Sequence, residues 1–265
     1  MLLQRIVTVV LFVPVVLGAL FSPWPILFKV MVELCLLVAL VEFFQLVKFP
    51  PREKWFGVGL GTIHSTFLLT VPLQGEWLLL EVVLVLCTIF AFYLKFHGEL
   101  PGVVSRIGTM TLGIFYLATS APLIGLLRDL EMGATWVMFL LAMTWLNDTA
   151  AYFVGHWWGK RKFAAAVSPG KTIEGWLGGF VGSLLGFLAV WYFSNRSVPL
   201  LAGLVMALLT GVTGPLGDLA ESLLKRGVGA KDSGHVIPGH GGVFDRIDAL
   251  LFNAPVVYGF ALFLK

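Results

Sequence analysis

Charge is scarce in this sequence. Asp, Glu, Lys and Arg make up 12% of its 265 residues against 58% hydrophobic, and the formal net charge is only +3. With a mean hydropathy of +0.92, such a composition excludes a soluble globular chain. Cysteine is nearly absent too: Cys35 and Cys87 both lie inside apolar runs, and no CxxC pair exists, so neither a disulfide framework nor a cysteine-based metal site is available. The zinc-hydrolase pattern HExxH and the serine-hydrolase pattern GxSxG are both missing. Alternation of polar and apolar residues is missing as well, which excludes a membrane β-barrel; runs such as VVLVLCTIFAFYL show no period of two.

What is present is a series of long apolar runs separated by short polar loops. Backbone amides in lipid must be satisfied within one segment, so these runs predict an all-α, polytopic integral membrane protein. Boundaries fall near Ile6 to Phe21, Ile26 to Val47, Val58 to Val71, Trp77 to Leu94, Ile107 to Leu127, Thr135 to Val154, Ile173 to Phe193, Pro199 to Leu216 and Phe244 to Leu264, giving about nine spans. Nine spans put fourteen of the eighteen basic residues on the side of the N-terminus, which predicts a cytoplasmic N-terminus and an external C-terminus. The chain then divides into residues 1–130 with spans one to five, and residues 131–265 with spans six to nine and two long cytoplasmic loops. No internal repeat, low-complexity tract or separate soluble domain is expected. Trp24, Trp55, Trp77, Trp157 and Trp158 near span ends fit an interfacial aromatic belt.

The scarce charges are concentrated. Between Asp218 and Asp248 the sequence reads DLAESLLKRGVGAKDSGHVIPGHGGVFDRID. If the beginning of this stretch is the end of a helix, Asp218 and Glu221 share one face, followed by Ser222 and Lys225, and Asp245 and Asp248 repeat the three-residue step at the start of the next helix. Between them lies a glycine-rich, basic loop whose backbone can approach a ligand closely. Carboxylates of this kind suit a hard divalent cation such as Mg²⁺, and lysine and arginine suit phosphates. A polar loop that is merely solvated is the competing reading; against it, Asp245 and Asp248 open an apolar span, where ionisable groups are costly.

The second polar loop, GHWWGKRKFAAAVSPGKT, ends in GKT but has alanine at 165 where a nucleotide-binding P-loop needs glycine, and no preceding strand is expected. Ser168, Lys171, Thr172 and Glu174 read instead as a helix start able to cap or to meet an anion. Asp148, beside Asn147, interrupts the sixth span and is a candidate for a supporting or phosphate-site role. His235 and His240 lack the partners of a zinc site, and a bond from His240 to a phosphate or to a bound base suits them better. His64 is expected to be packed or interfacial, and Glu33, Glu42 and Glu81 have no partner visible in the sequence.

Ser222, Lys225-Arg226, Lys231-Asp232, Gly234, Pro238, His240-Gly241-Gly242 and Asp245-Arg246-Ile247-Asp248 together resemble the C-terminal signature of the CDP-diacylglycerol synthases, or phosphatidate cytidylyltransferases. NDTAAYFVG and SPGKTIEG are similar to that family as well, so the resemblance covers most of residues 140–265, while the first half matches only as apolar spans. The resemblance implies transfer of a cytidylyl group from CTP to phosphatidate, with Mg²⁺ as the cation, as one ion or in a two-metal centre. It implies metal ligation by Asp218, Asp245 and Asp248, and phosphate contacts from Lys225, Arg226, Lys231 and Arg246. Ser222, His240, Gly241 and Gly242 would line the pocket, Ser168, Lys171 and Thr172 would close it, and a homodimer is expected. A CDP-alcohol phosphotransferase needs a different aspartate spacing. A CTP-dependent lipid or polyprenol kinase would release CDP instead of pyrophosphate, and an ion-coupled transporter would spread its polar residues over several spans.

Overall fold

The computed structural model describes residues 13–71, 75–98, 100–234, 236 and 241–264. The chain is helical almost throughout these residues. Residues 13–21 form α1, followed by α2 (Pro25–Leu46), α3 (Pro51–Thr70), α4 (Gly75–Phe96), α5 (Val103–Leu127), α6 (Gly133–Trp158), α7 (Ile173–Phe193), α8 (Leu200–Gly227) and α9 (Phe244–Phe263). Prolines open α2 and α3, where the missing N–H costs nothing. Six helices, α4 to α9, are long and apolar enough to cross a membrane among the described residues. The outward side chains agree with lipid as the solvent: on α4, Leu79, Leu80, Val83, Leu84, Phe90 and Leu94 are all exposed, while the buried set is Glu81, Val85, Ile89, Phe92 and Tyr93. The protein is an all-α integral membrane protein.

One short exception amends the all-α reading. Lys162–Ala164 (β1) and Ser168–Thr172 (β2) pair antiparallel as a hairpin between α6 and α7, with Lys162 opposite Thr172 and Ala164 opposite Ser168. The loop expected to lack any strand before its helix therefore contains one, made by the SPGKT residues themselves. Tertiary closure explains it: Glu174 accepts the backbone N–H of Lys160 at 3.0 Å and of Arg161 at 3.1 Å, which draws the two ends of the loop together.

The α6 and α7 helices that carry this hairpin touch backbone to backbone. A methyl group at Gly182 would lie 2.1 Å from the Leu146 carbonyl oxygen, and one at Gly186 2.5 Å from that of Ala142, so only glycine permits the approach. Polar ties complete the bundle: Ser183 Oγ donates to the Ala207 carbonyl at 2.8 Å, and Asn253 of α9 donates to Thr144 of α6 at 2.8 Å. In the N-terminal half the polar residues pair with one another. His64 meets Glu81 at 2.6 Å and Thr119 at 2.9 Å, Ser65 donates to Glu33 at 2.7 Å, and Tyr93 donates to Glu53 at 2.7 Å. His64 is thus packed, as expected, and Glu33 and Glu81 have partners on neighbouring helices.

Candidate active site

The polar end of α8 and the start of α9 converge. Pro215 lies inside α8 and has no N–H for the carbonyl four residues earlier. That carbonyl, of Gly211, accepts the Trp176 indole N–H at 3.1 Å, so α7 repairs the break. One turn on, Asp218 and Glu221 project from α8, and Asp248 faces them from the second turn of α9. Oxygens of these three carboxylates lie within 4.8 Å of one another. Close approach of the two helices makes this possible, since a methyl group at Gly217 would meet the Asp248 carbonyl at 2.5 Å. Glu221 is 1% exposed and Asp248 8%, whereas the side chain of Asp218 is 43% exposed, so the group opens on the Asp218 side.

The predicted trio was Asp218, Asp245 and Asp248; the structure brings together Asp218, Glu221 and Asp248. Asp245 sits in the first turn of α9 and points back over that helix start, accepting from Gly242 N at 2.9 Å and Ser233 N at 3.2 Å. Its other oxygen receives Lys225 Nζ at 2.6 Å, and the same ammonium reaches Glu221 at 2.8 Å. Glu221 was legible on the Asp218 face by its three-residue step, yet its membership depends on α9 docking against α8. Tyr116 of α5 gave no signal in the sequence. Its buried hydroxyl has no partner among the described residues and lies within electrostatic reach of Asp248, Glu221 and Asp218.

The other predicted residues are placed as follows. Lys171, at the end of β2, pairs with Asp218 at 2.8 Å and donates to the Pro215 carbonyl at 3.0 Å, so the hairpin borders the open side of the acidic group. Ser222 donates to Asp218 at 3.3 Å. Thr172 caps α7 by accepting from Gly175 N at 3.1 Å, and Ser168 lies half-buried in β2. Asp148 is exposed on α6, within electrostatic reach of Asp218, Lys171 and Arg246. Arg226 turns away to the carbonyls of Val167 and Ala230, at 3.4 and 3.2 Å, and Lys231 is exposed on the following loop. Gly241 has φ of 84°, and Gly242 is buried beside Ser233. Arg246 is exposed in the first turn of α9. His240, like His235 and Pro238, lies outside the described residues.

The donor set fits a hard divalent cation. It consists of carboxylates only, and Oε1 of Glu221 is buried with no hydrogen-bond partner, an expensive state for a polar oxygen that a bound cation would relieve.

The chain is 36% identical to the Uncharacterized protein YnbB of Escherichia coli (strain K12) over 237 residues, 84% of this chain and 75% of that protein. It is 39% identical over 154 residues to a Phosphatidate cytidylyltransferase of Bacillus subtilis (strain 168), covering 58% of this chain and 57% of the relative. A Phosphatidate cytidylyltransferase of Brucella suis biovar 1 (strain 1330) is 44% identical over 153 residues, 56% of this chain and 55% of that protein. Against these two named enzymes the match therefore spans somewhat over half their length. Residues 3–264 match the model of the Cytidylyltransferase family, and this chain belongs to that family.

Proposed function

We propose that this protein transfers the cytidylyl group of CTP to phosphatidate, forming CDP-diacylglycerol and pyrophosphate. The observation that carries the reading is the group of Asp218, Glu221 and Asp248, bordered by Lys171 and Lys225, at the polar end of two membrane helices. Its position suits a water-soluble polyanion meeting a lipid headgroup, and relatives over half of this chain bear the name Phosphatidate cytidylyltransferase. In the reaction a phosphate oxygen of phosphatidate forms a bond to the α-phosphorus of CTP. The bond from that phosphorus to the bridging oxygen breaks, and its electron pair leaves with pyrophosphate. A phosphate monoester is largely ionised at neutral pH, so the nucleophile needs no strong general base.

The demands on the protein are positioning and charge neutralisation. Asp218, Glu221 and Asp248 would hold Mg²⁺, as one ion or as part of a pair. The bound cation would neutralise charge on the triphosphate and polarise its phosphoryl oxygens. Asp245 serves by fixing Lys225 and the backbone at Ser233 and Gly242. In this reading Lys171 passes from Asp218 to a phosphate, and Arg246, Arg226 and Lys231 supply further positive charge to the bound substrates. Ser222, Ser168, Thr172, His240, Gly241, Gly242 and Asp148 complete the surroundings in this reading.

The same reading takes nine spans with the N-terminus, both long loops and the site on the cytoplasmic side of a bacterial inner membrane. Residues 131–265 carry the chemistry, residues 1–130 buttress it, and the working unit is a homodimer. The test is purified protein with phosphatidate and CTP labelled at the α-phosphate. Label appearing in lipid together with released pyrophosphate is the expected result. Release of CDP with unlabelled lipid would replace the reading with a lipid kinase, and no turnover of either kind would end it.

A further inference from the structure

Glu42 of α2 lies 201 and 202 residues from the groups it binds. Its Oε1 accepts the backbone N–H of Val243 at 3.1 Å and its Oε2 that of Phe244 at 2.9 Å, the two N–H groups at the very start of α9. The side chain is buried, 1% exposed, and among the described residues no lysine or arginine pairs with it. A buried carboxylate without a cation is costly unless donors surround it. Here the free amides and the positive end of the α9 dipole supply the compensation, so a residue of the N-terminal half caps the helix that carries Asp245 and Asp248.

The surrounding backbone is shaped to this carboxylate. A methyl group at Gly234 would lie 2.5 Å from Glu42 Oε1, and one at Gly242 2.6 Å from Oε2. Two glycines of the signature loop therefore leave room for a glutamate from another helix. The next residue anchors the same junction, for the Phe43 ring meets Phe244 edge-on with centroids 6.3 Å apart. Glu42 and Asp245 divide the amides between them: Val243 and Phe244 donate to the first, Gly242 and Ser233 to the second. Asp245 in turn holds Lys225.

We infer that Glu42 is a positioning residue for the reaction, setting the start of α9 so that Asp245 grips Lys225 and Asp248 reaches the acidic group. The inference rests on the proposed cytidylyl transfer for its catalytic half only; the contact itself can be tested without substrate. Glu42→Gln keeps the shape, removes the charge and turns one acceptor into a donor aimed at an N–H.

In detergent-solubilised full-length protein, hydrogen–deuterium exchange over residues 241–250 should run at least about tenfold faster in this variant than in the wild type. The turnover number should fall at least about tenfold while KM for CTP stays within about threefold. Glu33→Gln, which alters another α2 glutamate bonded to Ser65, should change neither quantity. Glu42→Asp retains the charge but cannot span both amides, and it should give an intermediate exchange rate; it decides the matter if Glu42→Gln does not fold. Unchanged exchange in the folded variant overturns the contact, and faster exchange with normal turnover overturns its role in positioning. If the wild type makes no CDP-diacylglycerol, the proposed reaction fails, while the exchange comparison still decides whether Glu42 holds α9.

Discussion

Lys225 of α8 and Asp245 of α9 are joined at 2.6 Å, with side-chain exposures of 11% and 9%. The ammonium also touches Glu221, so one lysine ties the two helices and borders the acidic group. Lys225→Met should lower turnover by about a hundredfold or more and destabilise the protein by about 3 kcal/mol, because two buried carboxylates lose their cation. Steady-state kinetics and thermal unfolding in detergent measure the two effects. A variant of normal activity would remove Lys225 from the site.

Glu221 and Asp245 should fail differently. Glu221→Gln removes a ligand from the acidic group and should raise the Mg²⁺ concentration for half-maximal activity by about tenfold or more. Asp245→Asn leaves that group complete but releases Lys225, and should depress turnover with a smaller change in Mg²⁺ dependence. Titration of activity with Mg²⁺ in both variants makes the comparison. The reverse pattern would return Asp245 to the cation.

Removal of divalent cations by EDTA should stop turnover, and added Mg²⁺ should restore it. Mn²⁺ binding followed by electron paramagnetic resonance offers a readout independent of catalysis, and Asp248→Asn should weaken it. Equal Mn²⁺ affinity in wild type and variant would locate the cation elsewhere.

The contact of α6 with α7 gives a stability prediction. Gly182→Ala forces a methyl group to 2.1 Å from the Leu146 carbonyl oxygen and should cost about 1–3 kcal/mol. Gly59→Ala, where a methyl group meets nothing within 4 Å, should be neutral or slightly stabilising, since alanine favours the helix by about 1 kcal/mol over glycine. Thermal unfolding of the two variants checks the contrast.

Trp176→Phe keeps an aromatic ring but leaves the Gly211 carbonyl without its donor. The expected loss is about 1–3 kcal/mol in unfolding free energy. Unaltered stability would mean that lipid-side rearrangement repairs the break at Pro215 in another way.

Much of this site is legible in sequence because the scarcity of charge makes each acidic or basic residue conspicuous. The three-residue step of Asp218 and Glu221 announces a common helix face, and the run beginning at Asp245 announces a helix start. What is not legible is which acids meet. Asp245 accepts from the loop amides of Ser233 and Gly242 and from Lys225, an arrangement governed by loop closure, while Glu221 is the acid that lies with Asp218 and Asp248. The hairpin was hidden for a related reason: SPGKT has little strand propensity, and pairing depends on Glu174 gathering Lys160 and Arg161. Glu42 was unassigned because its partners are backbone amides about two hundred residues away, which no spacing can reveal.

The close seating of α7 on α6 reaches beyond stability. Both ends of the β1–β2 hairpin spring from helices that cannot slide past each other, and Glu174 pins the hairpin at its base. Lys171 is consequently preorganised at the mouth of the site. If the proposed reaction holds, an arriving nucleotide would find a hairpin whose entropy was surrendered during folding, and little of its binding energy would need to be diverted to ordering one.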